Sequence, residues 1–162
     1  MGADLFADGE KVPEFLVWAQ KDKHSAPLQR IQIIKGSITN SGARPSERVF
    51  DVVCSDGLEV DPTTHRCPDN GARVNIEDCS ITNNVGATEL KATWRDPDFN
   101  PKDKAFYYVR VLENPTCRWS TWDALKAGVK PRSDMHKTIQ ERAWSSPIWY
   151  IPVPEDIDIF AL

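Results

Sequence analysis

Hydrophobic and polar residues alternate along several short segments of the chain, as they do in strands with one buried face. The segments with this pattern are FLVWAQ, LQRIQIIKGSIT, ERVFDVVCS, ATELKATWRD and AFYYVRVLEN. Their β-branched and aromatic side chains suit a pleated surface, and turn residues fill the stretches between them. The pattern predicts a mainly antiparallel β-sandwich of the immunoglobulin or fibronectin type, with a core that includes Ile33, Val52, Leu90, Trp94, Val109 and Val111.

The last third of the chain carries helical and extended signals instead. In STWDALKAGVKP, Ser120 or Thr121 can cap a short helix that Gly128 ends. A second short helix is predicted at RSDMHKTIQERAW, with Ser133 as its cap and an apolar stripe of Met135, Ile139 and Ala143. The prolines of AWSSPIWYIP favour an extended segment, which we place as a last strand along a sheet edge.

Length and composition set the broad class of the protein. The chain has 162 residues, which suits one domain, and we expect a single β-sandwich domain over residues 1–162. Its net charge of −4 gives no reason to expect a nucleic-acid partner, and it has no apolar run long enough to cross a membrane. The first residues lack the pattern of a signal peptide.

The four cysteines form an even set, Cys54, Cys67, Cys79 and Cys117. Their spacing does not match the close pairs of a zinc site, although metal binding stays open beside disulfides and free buried thiols. Sequence alone does not choose the pairing. We favour Cys54–Cys67 and Cys79–Cys117, which would imply an oxidising periplasmic or extracellular compartment.

The segment CSDGLEVDPTTHRCPDNG, residues 54–71, is rich in polar side chains. Calcium tolerates loose geometry, so an irregular calcium site could use Asp56, Asp61, Asp69 and Asn70. The same residue types also close turns on their own backbone. His65 beside Arg66 could bind an anion or transfer a proton, or could simply be solvated. We expect a disulfide-stapled loop that faces a partner domain, with no cofactor bound to this chain.

Four tryptophans and two arginines cluster in the last third of the sequence, namely Arg118, Trp119, Trp122, Arg142, Trp144 and Trp149. Such residues can form a stacking platform for sugars, or ladders of arginine and tryptophan that hold a sheet edge. We favour the alternative that they pack in the core and rim of the sandwich. No nucleotide, serine-hydrolase or zinc-protease motif is present.

A resemblance rests on four long segments, VWAQKDKHSAPLQRIQIIKG, CSDGLEVDPTTHRCPDNGA, ATWRDPDFNPKDKAFYYVRVLENPTCRWSTWDA and TIQERAWSSPIWY. They resemble the C-terminal portion of a bacterial family catalogued as domain of unknown function 3604. Longer members resemble, in their N-terminal part, the PHP class of metal-dependent phosphoesterases. The resemblance implies that MGADL is an internal junction, that Met1 is an internal methionine used as a start, and that many members are exported.

Two hypotheses about function follow from the resemblance, and a third comes from the residues. The first is a non-catalytic module that packs on a PHP-like catalytic domain and shapes its cleft. In the second, the loop of residues 56–70 and Arg118 contribute directly to that domain's metal or substrate site, with His65, Arg66 and Trp119 at the interface. The third is a free-standing calcium- or carbohydrate-binding module.

Two observations would separate the first two hypotheses. An exposed apolar patch near the N-terminus would favour a module that docks there. A concave cluster of Asp56, His65, Asp69 and Arg118 would favour a direct contribution to a site. On either hypothesis we expect the isolated chain to have no enzyme activity, and its oligomeric state stays open.

Overall fold

The computed structural model describes residues 2–6, 11–39 and 44–152. In chain order its elements are β1 (Ala3–Phe6), β2 (Glu14–Gln20), β3 (Leu28–Ile38), β4 (Ser46–Cys54), β5 (Glu89–Arg95), β6 (Lys104–Glu113), β7 (Thr116–Cys117), α1 (Trp119–Lys126), β8 (Thr138–Ile139), β9 (Arg142–Trp144) and β10 (Ile148–Ile151). Strands dominate and α1 is short, so the predicted mainly β class is confirmed.

A large sheet and a small ribbon face each other. The large sheet has the order β1-β10-β6-β3-β4, and β9 also pairs with β6. The ribbon is the antiparallel pair β2-β5, and a second small ribbon joins β7 to β8. All pairings in the large sheet are antiparallel except β1 with β10. This arrangement is a β-sandwich, as predicted.

The core lies between the large sheet and the β2-β5 ribbon. Ile33 and Leu90 are buried there, as the alternation predicts. The other predicted core residues, Val52, Trp94, Val109 and Val111, are partly buried and pack against the same cluster. Aromatic rings fill much of the space: the ring of Trp94 lies 5.2 Å from that of Phe50. The face that these strands turn to the core therefore follows their sequence pattern.

The central strand β3 is buried on both faces, which its alternation does not predict. We expected Gln32 to face solvent, but it is only 3% exposed. Ile34, on the same outer face, is fully buried. Hydrogen bonds to Asp51 and from Arg110 satisfy the Gln32 amide. A buried amide is tolerated when its hydrogen bonds are made, so the polar pattern of this strand reflects a network instead of exposure.

A second buried network lies on the inner face of the sheet. Lys35 Nζ is 2.5 Å from Asp96 Oδ2, and the Tyr107 hydroxyl donates to the same oxygen at 2.7 Å. Lys35 also donates to the backbone oxygen of Asp98. Burial, and then the hydrogen bond to Asp96, raises the pKa of Tyr107 well above its ordinary value. The network ties β3, the end of β5 and β6 together across the sandwich.

The second predicted helix is absent from the described part of the chain, and that prediction was wrong. Its segment contains β8 and β9 instead. Thr138 and Ile139 pair with Cys117 and Thr116 of β7, and Arg142–Trp144 pairs with β6. Backbone pairing with neighbouring strands outweighs the apolar stripe, which finds no surface to bury it: Ala143 is exposed.

The first predicted helix is present as α1, with its predicted end but not its predicted capping residue. It begins after Arg118, which makes no side-chain capping hydrogen bond, so neither Ser120 nor Thr121 is the cap. Its end is as predicted, because Gly128 adopts a φ of 67° and its N–H donates to the Leu125 oxygen at 3.0 Å. Left-handed backbone of this kind favours glycine.

The last strand, β10, is not at the sheet edge. β1 pairs alongside it in parallel, from Ala3 with Ile148 to Phe6 with Ile151. The sequence does not predict β1, because four residues are too few to show an alternation. The N-terminal strand therefore forms the border of the large sheet.

Both favoured disulfides are confirmed. Cys54 bonds to Cys67 and Cys79 bonds to Cys117, each with Cα atoms 5.6 Å apart. The described residues contain no free cysteine. Two disulfides are consistent with an oxidising extracellular or periplasmic location.

The Lys35→Met variant should lower the free energy of unfolding by about 3–5 kcal/mol, because the side chain of Asp96 is 0% exposed and would keep an unpaired charge. Urea denaturation measures this. Adding Asp96→Asn should recover part of the loss, since the buried charge is then gone. A cost below about 1 kcal/mol for Lys35→Met would contradict the role of the pair.

The two disulfides should differ in their effect on stability. Cys79–Cys117 spans 38 residues and Cys54–Cys67 spans 13. The longer loop restricts the unfolded chain more, so replacing Cys79 and Cys117 by Ala should cost about 1 kcal/mol more than replacing the other pair. Denaturation of the two double variants tests the order, and the reverse order would show that native contacts of the shorter loop dominate.

Candidate functional site

The polar loop of residues 54–71 folds back along β4. The Cys54–Cys67 disulfide joins the first residue of the loop to Cys67, four residues before its end. The N–H of Asp51 donates to the His65 oxygen at 2.9 Å, and the N–H of Cys67 donates to Asp51 Oδ2 at 2.7 Å. The His65 ring lies edge-on to Phe50 at 5.1 Å. The covalent bond and these contacts fix the loop against the outer rim of the large sheet.

Asp51 is the centre of a group of polar side chains. Its side chain is 2% exposed and accepts a hydrogen bond from Gln32 Nε2 at 2.5 Å. The Arg30 Nε lies 3.7 Å from one of its oxygens, and the Arg66 Nη1 lies 3.5 Å from the other. Arg110 Nε donates to Gln32 Oε1 at 2.7 Å. The Asp51 carboxylate and the Gln32 amide thus contact three guanidinium groups between them.

A fourth arginine lies on the same outer face. Leu112 of β6 pairs with Arg142 of β9 on one side and with Arg30 of β3 on the other. Cross-strand partners share a face, so Arg142 extends the row formed by Arg30 and Arg110. We call Arg30, Arg66, Arg110 and Arg142 the arginine surface. Trp144, which pairs with Arg110, lies beside it and is 59% exposed.

A groove adjoins the arginine surface at Arg30. It is a cavity of about 500 Å³ between the polar loop and β8, and its lining includes Gln29, Arg30, Asp69, Arg73, Thr138 and Gln140. We call it the polar groove. Gln140 Nε2 donates to Gln29 Oε1 at 2.6 Å across it. Arg73 forms an ion pair with Asp69 at 2.6 Å. Arg30, the other arginine that lines the groove, lies 3.7 Å from its nearest carboxylate oxygen, on Asp51.

The candidate calcium ligands do not assemble into one site. Asp61 accepts the N–H groups of Thr63 and Thr64, which lowers its pKa by stabilising the carboxylate. The hydrogen bond from Arg73 lowers the pKa of Asp69 to about 2. Within residues 2–6, 11–39 and 44–152, no three His, Cys, Asp or Glu side chains are placed to hold a metal ion.

Asp56 and Asn70 do come together, in a structural role. Asp56 has a φ of 60°, and its carboxylate accepts the N–H of Gly86 at 2.8 Å. Asn70 Nδ2 donates to Asn114 Oδ1 at 2.9 Å and lies 3.4 Å from Asp56 Oδ2. These bonds join the polar loop to the chain before β5 and after β6. The two residues therefore close turns and pin the loop.

The candidate interface residues point to different places. His65 packs on Phe50 and Arg66 reaches Asp51. Arg118 precedes α1, where its N–H donates to the Lys137 oxygen at 2.9 Å. Its Nε is buried without a hydrogen-bond partner in the described structure. Trp119 is exposed on α1. Asp56, His65, Asp69 and Arg118 thus each have separate contacts and are not joined to one another.

We predicted that the late tryptophans pack in the core and rim of the sandwich, and none of them lies in the core. Trp119, Trp122, Trp144 and Trp149 are all exposed. The core tryptophan is Trp94 instead, which packs against the hydrophobic cluster. The short strands and the short helix α1 give the late segment no interior of its own, so its large side chains lie on the surface.

An exposed apolar patch lies at the other end of the outer face. Phe6, Ile38, Trp149 and Ile151 are exposed, and Phe106 packs 5.3 Å from Trp149. We call these five residues the apolar patch. A cavity of about 700 Å³ is lined by the other four residues of the patch, while Phe6 lines a neighbouring cavity. Gly36 makes room for the Phe106 ring, because a Cβ there would lie 2.2 Å from that ring. The N-terminal strand β1 supplies Phe6, which places the patch beside the N-terminus.

Comparison with known proteins identifies the family. The family model described as "Protein of unknown function (DUF3604)" matches residues 1–152. The chain belongs to the DUF3604 family. The predicted resemblance is thereby confirmed at the level of the family. No curated protein and no solved structure gave a match.

Membership of DUF3604 names no reaction, so function has to be argued from the site. The immunoglobulin or fibronectin type of the sandwich stays a prediction. In the described part of this DUF3604 chain, no helix is long and apolar enough to cross a membrane.

The sequence singled out Arg66 and Arg142 as candidates, but not Arg30 and Arg110 or the polar residues that join them. Arg30, Gln32, Asp51 and Arg110 sit inside strongly apolar strands, which is itself a signal, because strand interiors rarely carry polar residues without partners. We read them as the solvent face. Their register, which only the sheet order supplies, shows that they face one another.

The Asp51→Asn variant should lower the free energy of unfolding by about 2–3 kcal/mol, because a buried acceptor of hydrogen bonds from Gln32 and the Cys67 N–H loses its charge. Thermal and urea denaturation measure the change. Asp61→Asn is the matched control: its side chain is exposed and asparagine also closes such turns, so its cost should stay below about 1 kcal/mol. Equal effects of the two variants would contradict the central position of Asp51.

Proposed function

We propose that this chain is a non-catalytic β-sandwich module that packs on a catalytic domain and shapes its substrate cleft. The catalytic domain is the PHP-like hydrolase domain that the resemblance places in the N-terminal part of longer DUF3604 members. Family membership supports an association with such proteins, and the apolar patch supports docking. The apolar patch is the observation that carries the proposal.

The apolar patch has the chemistry of an interface. Phe6, Trp149 and Ile151 lie on neighbouring strands β1 and β10, so their side chains form a continuous surface. Trp149 is 46% exposed although it contacts Phe106. Large exposed apolar areas are usual where another protein binds, and tryptophan is enriched among the residues that dominate binding.

The position of the patch favours an N-terminal partner. Phe6 belongs to β1, the first strand of the chain, which borders the large sheet. A domain attached ahead of β1 would lie next to this strand. The linkage keeps its effective concentration high, so even a modest apolar surface would hold it in place.

A direct contribution of the polar loop to catalysis has less support. Asp56 and Asn70 pin the loop, Asp69 pairs with Arg73, and His65 packs on Phe50. These contacts occupy the groups that would otherwise serve a metal or a substrate. The proposal therefore assigns the loop a shaping role and gives the isolated chain no reaction of its own.

Trp149→Ser should weaken binding to the separately produced N-terminal domain of a longer DUF3604 member by at least about tenfold, since it removes the largest ring of the patch. Isothermal titration calorimetry measures the dissociation constants. Trp18→Ser is the matched control, because Trp18 is 66% exposed on the β2-β5 ribbon and lies away from the patch.

Ile38→Ser should also weaken binding, because Ile38 belongs to the patch. Leu16→Ser is its matched control and should leave binding unchanged, because Leu16 is exposed on the β2-β5 ribbon. Circular dichroism should be the same for all four variants and the parent chain. The proposal fails if the parent chain does not bind the N-terminal domain, or if the control variants weaken binding as much as the patch variants do.

A further inference from the structure

We propose that the arginine surface, together with Trp144 and the polar groove, binds an acidic carbohydrate. Carboxylate or sulfate groups would pair with the guanidinium groups, and a sugar ring would stack on Trp144. The inference concerns the isolated chain and does not depend on docking of a catalytic domain. The arginine surface and the apolar patch lie at opposite ends of the outer face, so each can be tested alone.

The first support is an excess of positive charge. Arg30, Arg66 and Arg110 surround Asp51 directly or through Gln32. One buried carboxylate cannot neutralise three guanidinium groups. Arg142 adds a fourth, and its exposed side chain makes no hydrogen bond or ion pair within the described structure. A local excess of this size in a chain of net charge −4 favours an anionic ligand.

The second support is the state of the guanidinium donors. Arg30 uses Nη1 for Gln29 Oε1 at 2.7 Å, and its Nε lies buried without a hydrogen bond. Arg66 reaches Asp51 only at 3.5 Å and is 49% exposed. Arg66 and Arg142 are the exposed members of the arginine surface, and their donors are accessible to a ligand. A guanidinium offers two parallel N–H groups to a carboxylate or a sulfate, which makes arginine the residue suited to such anions.

The shape of the surface favours a sugar over a simple anion. Trp144 is exposed and pairs with Arg110 across neighbouring strands, so the two side chains start from the same face of the sheet. The polar groove, about 500 Å³, continues from Arg30 between the amides of Gln29 and Gln140. Gln140 Nε2 already bonds to Gln29 Oε1 and to the Glu113 oxygen, so the groove contributes chiefly its size, which can hold a small oligosaccharide. Alternating anions and hydroxyls are the chemistry of a uronate or a sulfated sugar.

A rigid base supports the binding residues. The Cys54–Cys67 disulfide and the Cys67 N–H to Asp51 bond hold the loop that carries Arg66. Gln32 and Arg110 lie on neighbouring central strands, in register with each other. The donors are therefore fixed before a ligand arrives, which reduces the entropy lost on binding.

The test uses the intact chain and calorimetric titration with four probes, namely oligogalacturonate, a heparin-derived oligosaccharide, a neutral cello-oligosaccharide and single-stranded oligothymidylate. We expect submillimolar binding of at least one acidic sugar, no detectable binding of the neutral one, and weaker binding as salt is added, since screening reduces the attraction between the charges. The first two probes distinguish carboxylate from sulfate as the preferred anion.

Variants locate the site. Arg142→Gln and Trp144→Ala should each weaken binding of the acidic sugar by at least about tenfold, which equals about 1.4 kcal/mol. Both side chains are exposed, so the fold should be unaffected. Arg95→Gln and Trp18→Ala are the matched controls, because both residues are exposed on the β2-β5 ribbon and should leave affinity unchanged. Trp144 fluorescence should also change on binding, and that change should be lost in Trp144→Ala.

Three outcomes would overturn the inference. The first is the absence of binding of both acidic sugars at about millimolar concentration. The second is equal loss of affinity in the control variants and the site variants. The third is tighter binding of oligothymidylate than of either acidic sugar, which would assign the surface to nucleic acid.

Discussion

The buried carboxylate of Asp51 is the interaction on which the outer face of this protein depends. It holds Gln32 of the central strand and the N–H of Cys67 at the end of the polar loop. A buried carboxylate needs compensation, and here two arginines and an amide provide it. The disulfide, the loop and the arginine surface therefore share one anchor. Without its charge, three guanidinium groups would face one another with nothing to balance them.

The inner face solves a similar problem with a different set of residues. Lys35, Asp96 and Tyr107 form a closed group in which each polar atom has a partner. Around them lies the apolar cluster that joins the large sheet to the β2-β5 ribbon. A ribbon of two strands covers little of the large sheet, so this group adds a directional connection between the layers that apolar packing alone would not specify.

The outer face of the large sheet is divided between two kinds of surface. The apolar patch lies near β1 and the arginine surface lies near β9 and the polar loop. A module that docks by the apolar patch would leave the arginine surface uncovered at the other end of this face. The two proposals are thus compatible, although each stands on its own residues.

The sequence by itself determined the strands β2 to β6 and the face that each of them turns to the core. Alternation identifies these features because the side-chain period of a strand is two and does not depend on distant contacts. It could not place β8 and β9, because their backbone pairing with β7 and β6 overrides a helical stripe. It also could not bring Arg30, Asp51, Arg110 and Arg142 together. Those residues come from four strands that are distant in sequence, and only the order and register of the sheet decide that they share one surface.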